Sequence, residues 1–600
     1  MRTSLFFPLS LALVAAVVPA EPGPRPADSG PGPVLVNQIG YATGADKIAT
    51  VVAAATKPLT WRLKDDKGRT VASGATRVVG ADKASGDHVH QADFSRATGQ
   101  GVRRLTVAGV GTSVAFTVTR KPLYPDLGRE AMQYFYFHRM GTPVEAEYLQ
   151  HAAHAHAALH PGDTSVPCYK NWCGKSGGKA QRLNVVGSWA DAGDFGVYPV
   201  NHAISAWTLL NLYEREHTAY ADGSLAVPER ANGVPDLIDE VAHGSRFMSG
   251  MLPRTGLASH KVHNHTWSAF PVKDIAAENA LPRSAMPPST NATYAVARTN
   301  AQLARVLREF DAKRANSLWA SAQEAFKRAE ARPDVDYPEA NDGTDAEGGG
   351  DYPDTQNSDD RYAAAAELYL TAEQRADRAA KGYRNAVTGS PHYGEIGPVD
   401  WGRVAAAGSL SLLAVPNALP AADLARMRAN LRTAADELVN TQQREGYPAL
   451  LSGAEPYPWG SNSAIVNRMM LLGTAYDIGH DRRHLKAMHR AMDYLLGTNA
   501  MRISYVTGYG PHRETDLHDR LAWGQYPKTP YPKGWLSGGP NSALINDPVT
   551  PTGRPAAKSY AGPGTAPSAW GSKENTINWN APLVWVATYL KSTAPDLTSR

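Results

Sequence analysis

The sequence predicts a small all-β, immunoglobulin-like sandwich followed by a large all-α domain closed into a double ring of helices, an (α/α)6 toroid. Short β-rich runs separated by turn formers fill residues 34–121. From residue 122 to 595, apolar residues instead recur with the i, i+3, i+4 spacing of amphipathic helices. Twelve helices of about 39 residues each, loops included, would account for that length.

The N-terminus precedes both domains. MRTSLFFPLSLALVAAVVPAE carries an early arginine, an apolar stretch from Leu5 to Val18 and a small-residue exit, which predicts a secretory signal peptide over residues 1–20. The apolar stretch is shorter than the roughly 20 residues that a membrane span needs. Residues 21–33, EPGPRPADSGPGP, are predicted to form an extended linker. We therefore expect a secreted protein without a membrane anchor.

The sandwich is predicted from six runs: VLVNQIGY, IATVV, LTWRL, TRVVG, RRLTVAG and SVAFTVTR. Segments such as DDKG, ADKASGD and GVG lie between them and favour turns. None of the runs contains cysteine, so a disulfide in the core of this domain is excluded.

The helical domain is predicted from Ala-rich segments such as STNATYAVARTNAQLARVLREF and PAADLARMRANLRTAADELVNTQQ, which end near Gly, Pro or Asn. A helical solenoid is the alternative architecture. The absence of self-similarity at a period of about 34 to 47 residues disfavours it. Polar loops between the helices of a toroid gather on one face and can build a site there.

Charge and cysteine content narrow the function classes. Lys and Arg total 61 against 57 Asp and Glu, and no long basic run occurs, so neither nucleic acid nor an anionic membrane is an expected partner. Cys168 and Cys173 are predicted to form a disulfide, with a structural zinc site as the less favoured alternative. The acid-rich segment 334–360 predicts either a solvated loop or oxygen ligands for Ca²⁺.

Two carboxylates dominate the segment GSWADAGDFGVY. Asp191 and Asp194 are separated only by Ala and Gly. A turn or a helix N-cap would explain them, but two acids so placed could also hold and deprotonate a water molecule. Glycoside hydrolysis needs a second type of carboxyl group, a protonated acid, and Glu574 in GSKENTINWNAPLVWV is the best candidate. Aromatic surroundings would raise the pKa of Glu574, whereas a helix N-terminus would lower it.

Several long motifs together resemble glycoside hydrolase family 9, the inverting endoglucanase family. GSWADAGDFGVYPVNHAISAWTLLNLYE is similar to its GGWYDAGD segment, and ENTINWNAPLVWVATYL to its C-terminal acid motif. NSAIVNRMMLLGTAYDIG, LHDR, GWLSGGPN and PPSTNATYA follow the family's order, and VLVNQIGY resembles the start of its N-terminal immunoglobulin-like module. The resemblance extends from about Val34 to Lys591.

The resemblance implies roles for the three acids. Asp194 would be the general base, Asp191 would help to hold the same water molecule, and Glu574 would be the general acid. An inverting enzyme separates its acid and base by about 6.5–9.5 Å. No cofactor is needed for this chemistry.

The resemblance also implies substrate and metal ligands. His518 and Arg520 in LHDR match the family's PHxR segment and would bind sugar; His512-Arg513 is a competing local match that we disfavour from its distance to GGPN. Asp359 and Asp360 align with acids that bind calcium in some members.

Two aromatic residues beside the acids, Tyr198 and Trp189, are expected to line the cleft or, alternatively, to belong to the core.

The sequence departs from the family pattern at Ala190, Val197, His202, Lys573 and Gly562. None of these replaces a proton-transfer group, but together they reshape a subsite. We therefore predict a secreted, monomeric, inverting hydrolase that cleaves β-1,4-linked glucan and acts on polysaccharide or oligosaccharide. The alternatives are an exo-acting relative that releases glucose or glucosamine from chain ends, and a non-catalytic carbohydrate-binding protein.

Overall fold

The computed structural model describes residues 32–337, 347–525 and 528–598. The predicted signal peptide and nearly all of the predicted linker lie outside these residues, as does the middle of the acid-rich segment. Across the described residues, no helix has both the length and the apolarity needed to cross a membrane.

The first domain is a two-sheet β-sandwich. Its strands are β1 Val34–Leu35, β2 Gly40–Ala42, β3 Ile48–Val52, β4 Thr60–Asp65, β5 Thr70–Ala75, β6 Arg77–Ala81, β7 His88–Asp93, β8 Gly101–Val107, β9 Gly111–Thr112 and β10 Phe116–Thr119. One sheet has the order β1-β3-β7-β6 and the other β2-β10-β8-β4-β5, with β9 beside β8. The strands pair antiparallel except β2 with β10. Their inward side chains, including Trp61, Leu63 and Phe116, form a separate apolar core.

The second domain is helical. Its helices are α1 Leu127–Phe137, α2 Pro199–Arg215, α3 Asp236–Gly244, α4 Arg246–Gly250, α5 Ile275–Asn279, α6 Thr290–Val306, α7 Ala312–Glu330, α8 Asn357–Gln374, α9 Ala380–Thr388, α10 Ala405–Ala414, α11 Ala421–Arg444, α12 Ser461–Gly479, α13 Arg482–Leu495, α14 Arg520–Trp523, α15 Trp570–Lys573, α16 Ile577–Ser592 and α17 Ala594–Thr598. Short strands lie in its loops: β11 Val166–Pro167, β12 Lys175–Ser176, β13 Lys179–Ala180, β14 Arg182–Leu183, β15 Val262–Asn264 and β16 Arg283–Ala285.

Twelve of these helices form the two rings. The inner helices α2, α6, α8, α10, α12 and α16 are rich in buried residues on most of their faces. They alternate along the chain with the outer helices α1, α3, α7, α9, α11 and α13. Inner helices pack in the succession α12, α16, α2, α6, α8 and α10, and α11 contacts both α10 and α12. The predicted fold class, a β-sandwich followed by an (α/α)6 toroid, is therefore confirmed.

The two domains are joined by buried polar contacts. Asn37, between β1 and β2, donates from its amide to Asp493 at 2.8 Å and to the Tyr124 hydroxyl at 2.6 Å. The Gln38 N–H donates to the carbonyl of Leu496, which follows α13. These contacts seat the sandwich on the outer ring.

Because outer and inner helices alternate, the inner helices run in one direction and their N-termini lie at one end of the ring. The chain reaches α2 through the loop of residues 190–198, called here the base loop, and Pro199 occupies the first helical turn, where no N–H bond is lost. The N–H of Ile577, the first residue of α16, donates to the carbonyl of Asp191 at 3.1 Å. This contact brings the base loop and the segment that carries Glu574 together.

Cys168 and Cys173 form a disulfide, as predicted. Their sulfur atoms are bonded to each other and so do not provide thiolate ligands for zinc.

Candidate functional site

The base loop and Glu574 make direct contact through Gly193. The backbone N–H of Gly193 donates to Glu574 Oε1 at 3.1 Å. A Cβ atom on this residue would lie 2.5 Å from His518 Cδ2, closer than Cβ atoms approach other atoms, and 3.0 Å from Glu574 Oε1, which is a tight contact. Only glycine therefore allows this approach between the loop and Glu574.

Asp191 is the more enclosed member of the aspartate pair, with 1% of its surface exposed. Its Oδ1 accepts from the Asn201 amide at 2.7 Å, and its Oδ2 accepts from the Tyr352 hydroxyl. Burial, followed by the charge of Asp194, raises the pKa of Asp191 to about 8. Asp191 is thus the acid of this pair that holds a proton most readily.

Asp194 has one oxygen engaged and one open. Its Oδ2 accepts from the Tyr198 hydroxyl at 2.6 Å and from the Gly196 N–H at 3.0 Å. Among the described residues, none donates a hydrogen bond to its Oδ1. Burial raises the pKa of Asp194, while these two donors and the charge of Arg520 oppose that shift. The surroundings favour the ionised form of Asp194 more than that of Asp191.

Tyr352 is a site residue that the sequence did not reveal. It reaches Asp191 from the segment before α8, and its backbone adopts the left-handed conformation at φ 51°, which is uncommon for a large side chain. Buried Lys261 donates to the carbonyl of Gly350 and to Asp351 Oδ1, both at 2.8 Å, and His260 Nε2 donates to the Asp351 carbonyl at 2.7 Å. These anchors fix the backbone from which the Tyr352 hydroxyl is aimed.

Glu574 lies in extended backbone, φ −60° and ψ 153°, between α15 and α16. It is therefore outside the first turn of α16, where a helix dipole would favour its charge. Burial, followed by the charges of Asp194 and Asp191, raises its pKa to about 8, although the Gly193 N–H and Arg520 act in the opposite direction. No described residue donates a hydrogen bond to Oε2. The raised pKa favours the protonated form of this carboxyl group, which has one open oxygen.

His518 and Arg520 both reach the base loop. The backbones of His518 and Glu574 pair as an isolated parallel β-bridge. The Nδ1–H of His518 donates to the Ala566 carbonyl at 2.8 Å, which leaves Nε2 as an acceptor beside Gly193. Burial lowers the pKa of His518 to about 4, so the ring is neutral.

Arg520 donates from Nε to the Gly193 carbonyl and from Nη1 to the Ser268 carbonyl at 2.9 Å. Two of its donor atoms therefore hold the backbone of the site. The competing match lies elsewhere: exposed Arg513 donates to the Gly510 carbonyl, and the His512 N–H donates to Gln38.

The two aromatic candidates have structural contacts. Tyr198 is buried, and its hydroxyl orients Asp194 instead of facing an open cleft. Trp189 is buried, donates to Glu240 at 2.9 Å and packs against Phe135 and His202. Trp189 therefore belongs to the core beneath the base loop.

Most of the residues that depart from the family pattern are buried in the structure. Ala190 and Val197 are buried within the base loop. His202 bonds to the Ser245 hydroxyl, and burial lowers its pKa to about 3. Gly562 lies in an exposed loop, and Lys573 has acidic partners that are described below.

A second group of acids, the α8 acidic cluster, consists of Asp354, Asp359 and Asp360. One oxygen from each lies within 4.8 Å of the others. Asp359 accepts from the Val404 N–H at 2.8 Å, but neither oxygen of buried Asp360 has a hydrogen-bond partner among the described residues. Burial and the charge of Asp359 raise the pKa of Asp360, and the charge of Arg298 only partly opposes them. Carboxylate oxygens without donors are the ligands that Ca²⁺ takes, so the residues fit that ion.

Comparison with known proteins decides the family. Residues 124–587 match the sequence profile of Glycosyl hydrolase family 9. The chain belongs to this family. Residues 30–112 match the Cellulase N-terminal ig-like domain, in agreement with the β-sandwich. The prediction of a glycoside hydrolase of family 9 type is confirmed at the level of the family.

This family 9 chain has relatives in several bacteria. It is 38% identical to Endoglucanase C of Cellulomonas fimi over 97% of this chain and 53% of that protein. It is 35% identical to Cellulose 1,4-beta-cellobiosidase of Acetivibrio thermocellus over 93% of this chain and 67% of that protein. The chain thus spans about half the length of the first relative and two thirds of the second.

Among solved structures, the family 9 chain superposes on Bacteroides ovatus GH9 with a TM-score of 0.81. The two are 26% identical, and the match covers 94% of this chain and 99% of that one. The shared fold therefore includes both the sandwich and the helical toroid.

Proposed function

We propose that this protein hydrolyses β-1,4-linked glucan with inversion, with Asp194 as general base and Glu574 as general acid. The observation that carries the proposal is the contact between Glu574 and the Gly193 N–H of the base loop. This contact places the carboxyl with the raised pKa on the loop that also carries the aspartate pair. Asp194 and Glu574 each keep one carboxylate oxygen that receives no hydrogen bond among the described residues.

The proton transfers follow from the two environments. Protonated Glu574 gives its proton to the glycosidic oxygen as the bond to the anomeric carbon breaks, so the sugar leaves as an alcohol. A water molecule attacks the anomeric carbon from the opposite face while the open oxygen of Asp194 takes its proton. Tyr198 holds the other oxygen of Asp194 in place. Asp191, held by Asn201 and Tyr352, stabilises the loop and helps to bind the attacking water.

The substrate proposal draws on the relatives. Endoglucanase C is named for cleavage within chains, whereas Cellulose 1,4-beta-cellobiosidase is named for the release of cellobiose. We propose cleavage within β-1,4-glucan chains as the main mode. Release of short products from chain ends is the second candidate because of the cellobiosidase relative.

The test combines one substitution with product analysis. Glu574→Gln keeps the shape of the side chain but removes the transferable proton, so we expect kcat on cellopentaose to fall by about 10²–10⁴-fold. The matched control is Glu437→Gln on the exposed face of α11, which should retain wild-type activity. Wild-type enzyme should release the α-anomer first in NMR time courses and rapidly reduce the viscosity of carboxymethylcellulose.

Four results would contradict parts of this proposal. Full activity in Glu574→Gln would show that Glu574 is not the general acid. Release of the β-anomer first would exclude inversion. Release of small sugars without a fall in viscosity would select the chain-end mode. Absence of hydrolysis across cello- and chito-oligosaccharides, with binding retained, would leave a carbohydrate-binding protein.

Two further features belong to the same proposal. We propose that the α8 acidic cluster holds a structural Ca²⁺, which would neutralise the acids without taking part in proton transfer. We also propose export by the signal peptide of residues 1–20, which N-terminal sequencing of the mature protein would check. The Cys168–Cys173 disulfide accords with an oxidising compartment.

A further inference from the structure

Lys573, the residue before Glu574, is a buried cation with a complete set of acceptors. Its side chain is 1% exposed. The ammonium group donates to Asp516 Oδ1 at 2.8 Å, to Glu514 Oε1 at 3.1 Å and to the Asp516 carbonyl at 3.5 Å. An ammonium group has three donors, and all three are directed at the segment 514–516.

The two acids are fixed in turn by other segments. The Tyr560 hydroxyl donates to Glu514 Oε2. Asp516 Oδ2 accepts from the Gly564 N–H at 2.8 Å and from the Ala566 N–H at 3.3 Å. The ammonium group therefore binds to a framework built from three parts of the chain. We call Lys573, Glu514 and Asp516 the buried ionic triad.

The triad lies beside the backbone that carries the proposed acid. The His518 N–H donates to the carbonyl of Lys573 at 2.8 Å. On the other side of Glu574, the Asn575 amide donates to Asp519 Oδ2 at 3.3 Å. Both sequence neighbours of Glu574 are thus attached to the segment that supplies His518.

We propose that Lys573 is a positioning residue for Glu574: the buried ionic triad fixes the backbone of residue 574 against His518 and so sets where the acidic proton is delivered. This inference rests on the proposed role of Glu574 as the general acid. Lys573 is one of the positions at which the sequence departs from the family pattern. An ammonium group with two carboxylates ties the segment more strongly than neutral hydrogen bonds would, provided that every member is paired.

The consequence for catalysis is geometric. Proton transfer requires hydrogen-bond distance between the acid and the glycosidic oxygen, and a displacement of about 1 Å can cost about 100-fold in rate. Loss of the triad should therefore affect reactions in which the leaving group needs a proton. It should have little effect where the leaving group is already a stable anion.

The experiment compares two substrates in Lys573→Met, which keeps the length of the side chain but removes its charge. On cellopentaose we expect kcat to fall by about 10–100-fold, with KM changed by less than about threefold. On 2,4-dinitrophenyl β-cellobioside, whose leaving group needs no proton, we expect a fall of less than about threefold. Exposed Lys381→Met on α9 is the matched control and should change neither rate.

A purely structural role predicts a different pattern. If Lys573→Met is folded and both substrates lose activity equally, or neither does, the positioning proposal is wrong. If Lys573→Met does not fold, Asp516→Asn decides on the same readouts, because it removes one of the two charges that pair with the ammonium group but keeps the side-chain shape. The same selective loss on cellopentaose is then expected, and an equal loss on both substrates, or none, rejects the proposal. Glu574→Gln is measured in parallel to separate the two proposals. An inactive Glu574→Gln beside a fully active Lys573→Met rejects only the positioning role of Lys573. A fully active Glu574→Gln rejects the role of Glu574 as the general acid.

Discussion

Two groups of carboxylates, most of them buried, lie near the N-termini of inner helices and differ in the hydrogen bonds that they receive. The proposed catalytic group, Asp191, Asp194 and Glu574, receives hydrogen bonds from Tyr and Asn side chains and from backbone N–H groups. The α8 acidic cluster leaves both oxygens of Asp360 without a donor among the described residues.

The difference separates two uses of buried acids. Donors that reach one oxygen and leave the other open fix a carboxylate yet keep it available for proton transfer, as at Asp194. Acids that repel one another without donors need either protons or a cation to remain buried. The first arrangement suits chemistry and the second suits a metal ion. Substitutions in either group test this difference.

The largest effect is expected at Asp194. Asp194→Asn removes the proposed base, and we expect kcat on cellopentaose to fall by about 10²–10⁴-fold. For Asp191→Asn we expect kcat to fall only about tenfold, because both oxygens of Asp191 already serve as acceptors within the protein. Sodium azide, which attacks without a base, should restore turnover in Asp194→Asn and yield an α-glycosyl azide.

The opposite order would overturn this assignment. If Asp191→Asn is the more damaged variant and is the one that azide rescues, then Asp191 is the base. Circular dichroism and melting temperature of both variants control for loss of folding.

The fold was largely predictable because helix periodicity and Ala content are local signals. The strands β5, β7 and β9 were not among the predicted runs, and Gly111 of β9 lies in a predicted turn. The sequence of β7, HVHQAD, is largely polar. In the structure, buried His90 of that strand bonds to the Thr76 hydroxyl at 3.0 Å and to the Ala55 carbonyl at 2.7 Å. Hydrogen bonds from distant residues replaced apolarity there, and a sequence pattern does not show them. The residue boundaries of the domains remain predictions.

The site was predictable only where a motif carried it. Asp191, Asp194, Glu574, His518 and Arg520 meet in space, although their roles remain proposals. Tyr352 was missed because it comes from a segment that reads as an acidic loop, and only the fold brings its hydroxyl to Asp191. The aromatic content of the base-loop motif did not distinguish buried Trp189 from a cleft residue.

The next effect is in the pH profile. Glu574 must be protonated to act, and burial raises its pKa to about 8. Below that pH the acid carries its proton, and above it we expect kcat/KM on cellopentaose to fall about tenfold per pH unit. Initial rates between pH 5 and 10 measure this limb.

Asp191 also has a raised pKa of about 8, so a control is needed. The alkaline limb should persist in Asp191→Asn if it reports Glu574. The assignment would be contradicted if the alkaline limb disappears in this variant. It would also be contradicted if wild-type kcat/KM already decreases as the pH rises toward 6.

The smallest effect is expected at the α8 acidic cluster, and it concerns stability instead of rate. Removing Ca²⁺ with EGTA should lower the melting temperature by about 2–5 °C, and added Ca²⁺ should restore it, because an ion that binds only the folded state stabilises it. Asp360→Asn should abolish this response, since it removes the carboxylate whose oxygens receive no hydrogen bond among the described residues. Asp436→Asn is the matched control: this acid lies beside Asp481 and His484, and Arg483 donates to it at 3.0 Å, so no metal ion is required there. An identical melting temperature with EGTA and with Ca²⁺ would show that the buried acids are neutralised by protons, and the contrast between the two carboxylate groups would then be one of pKa alone.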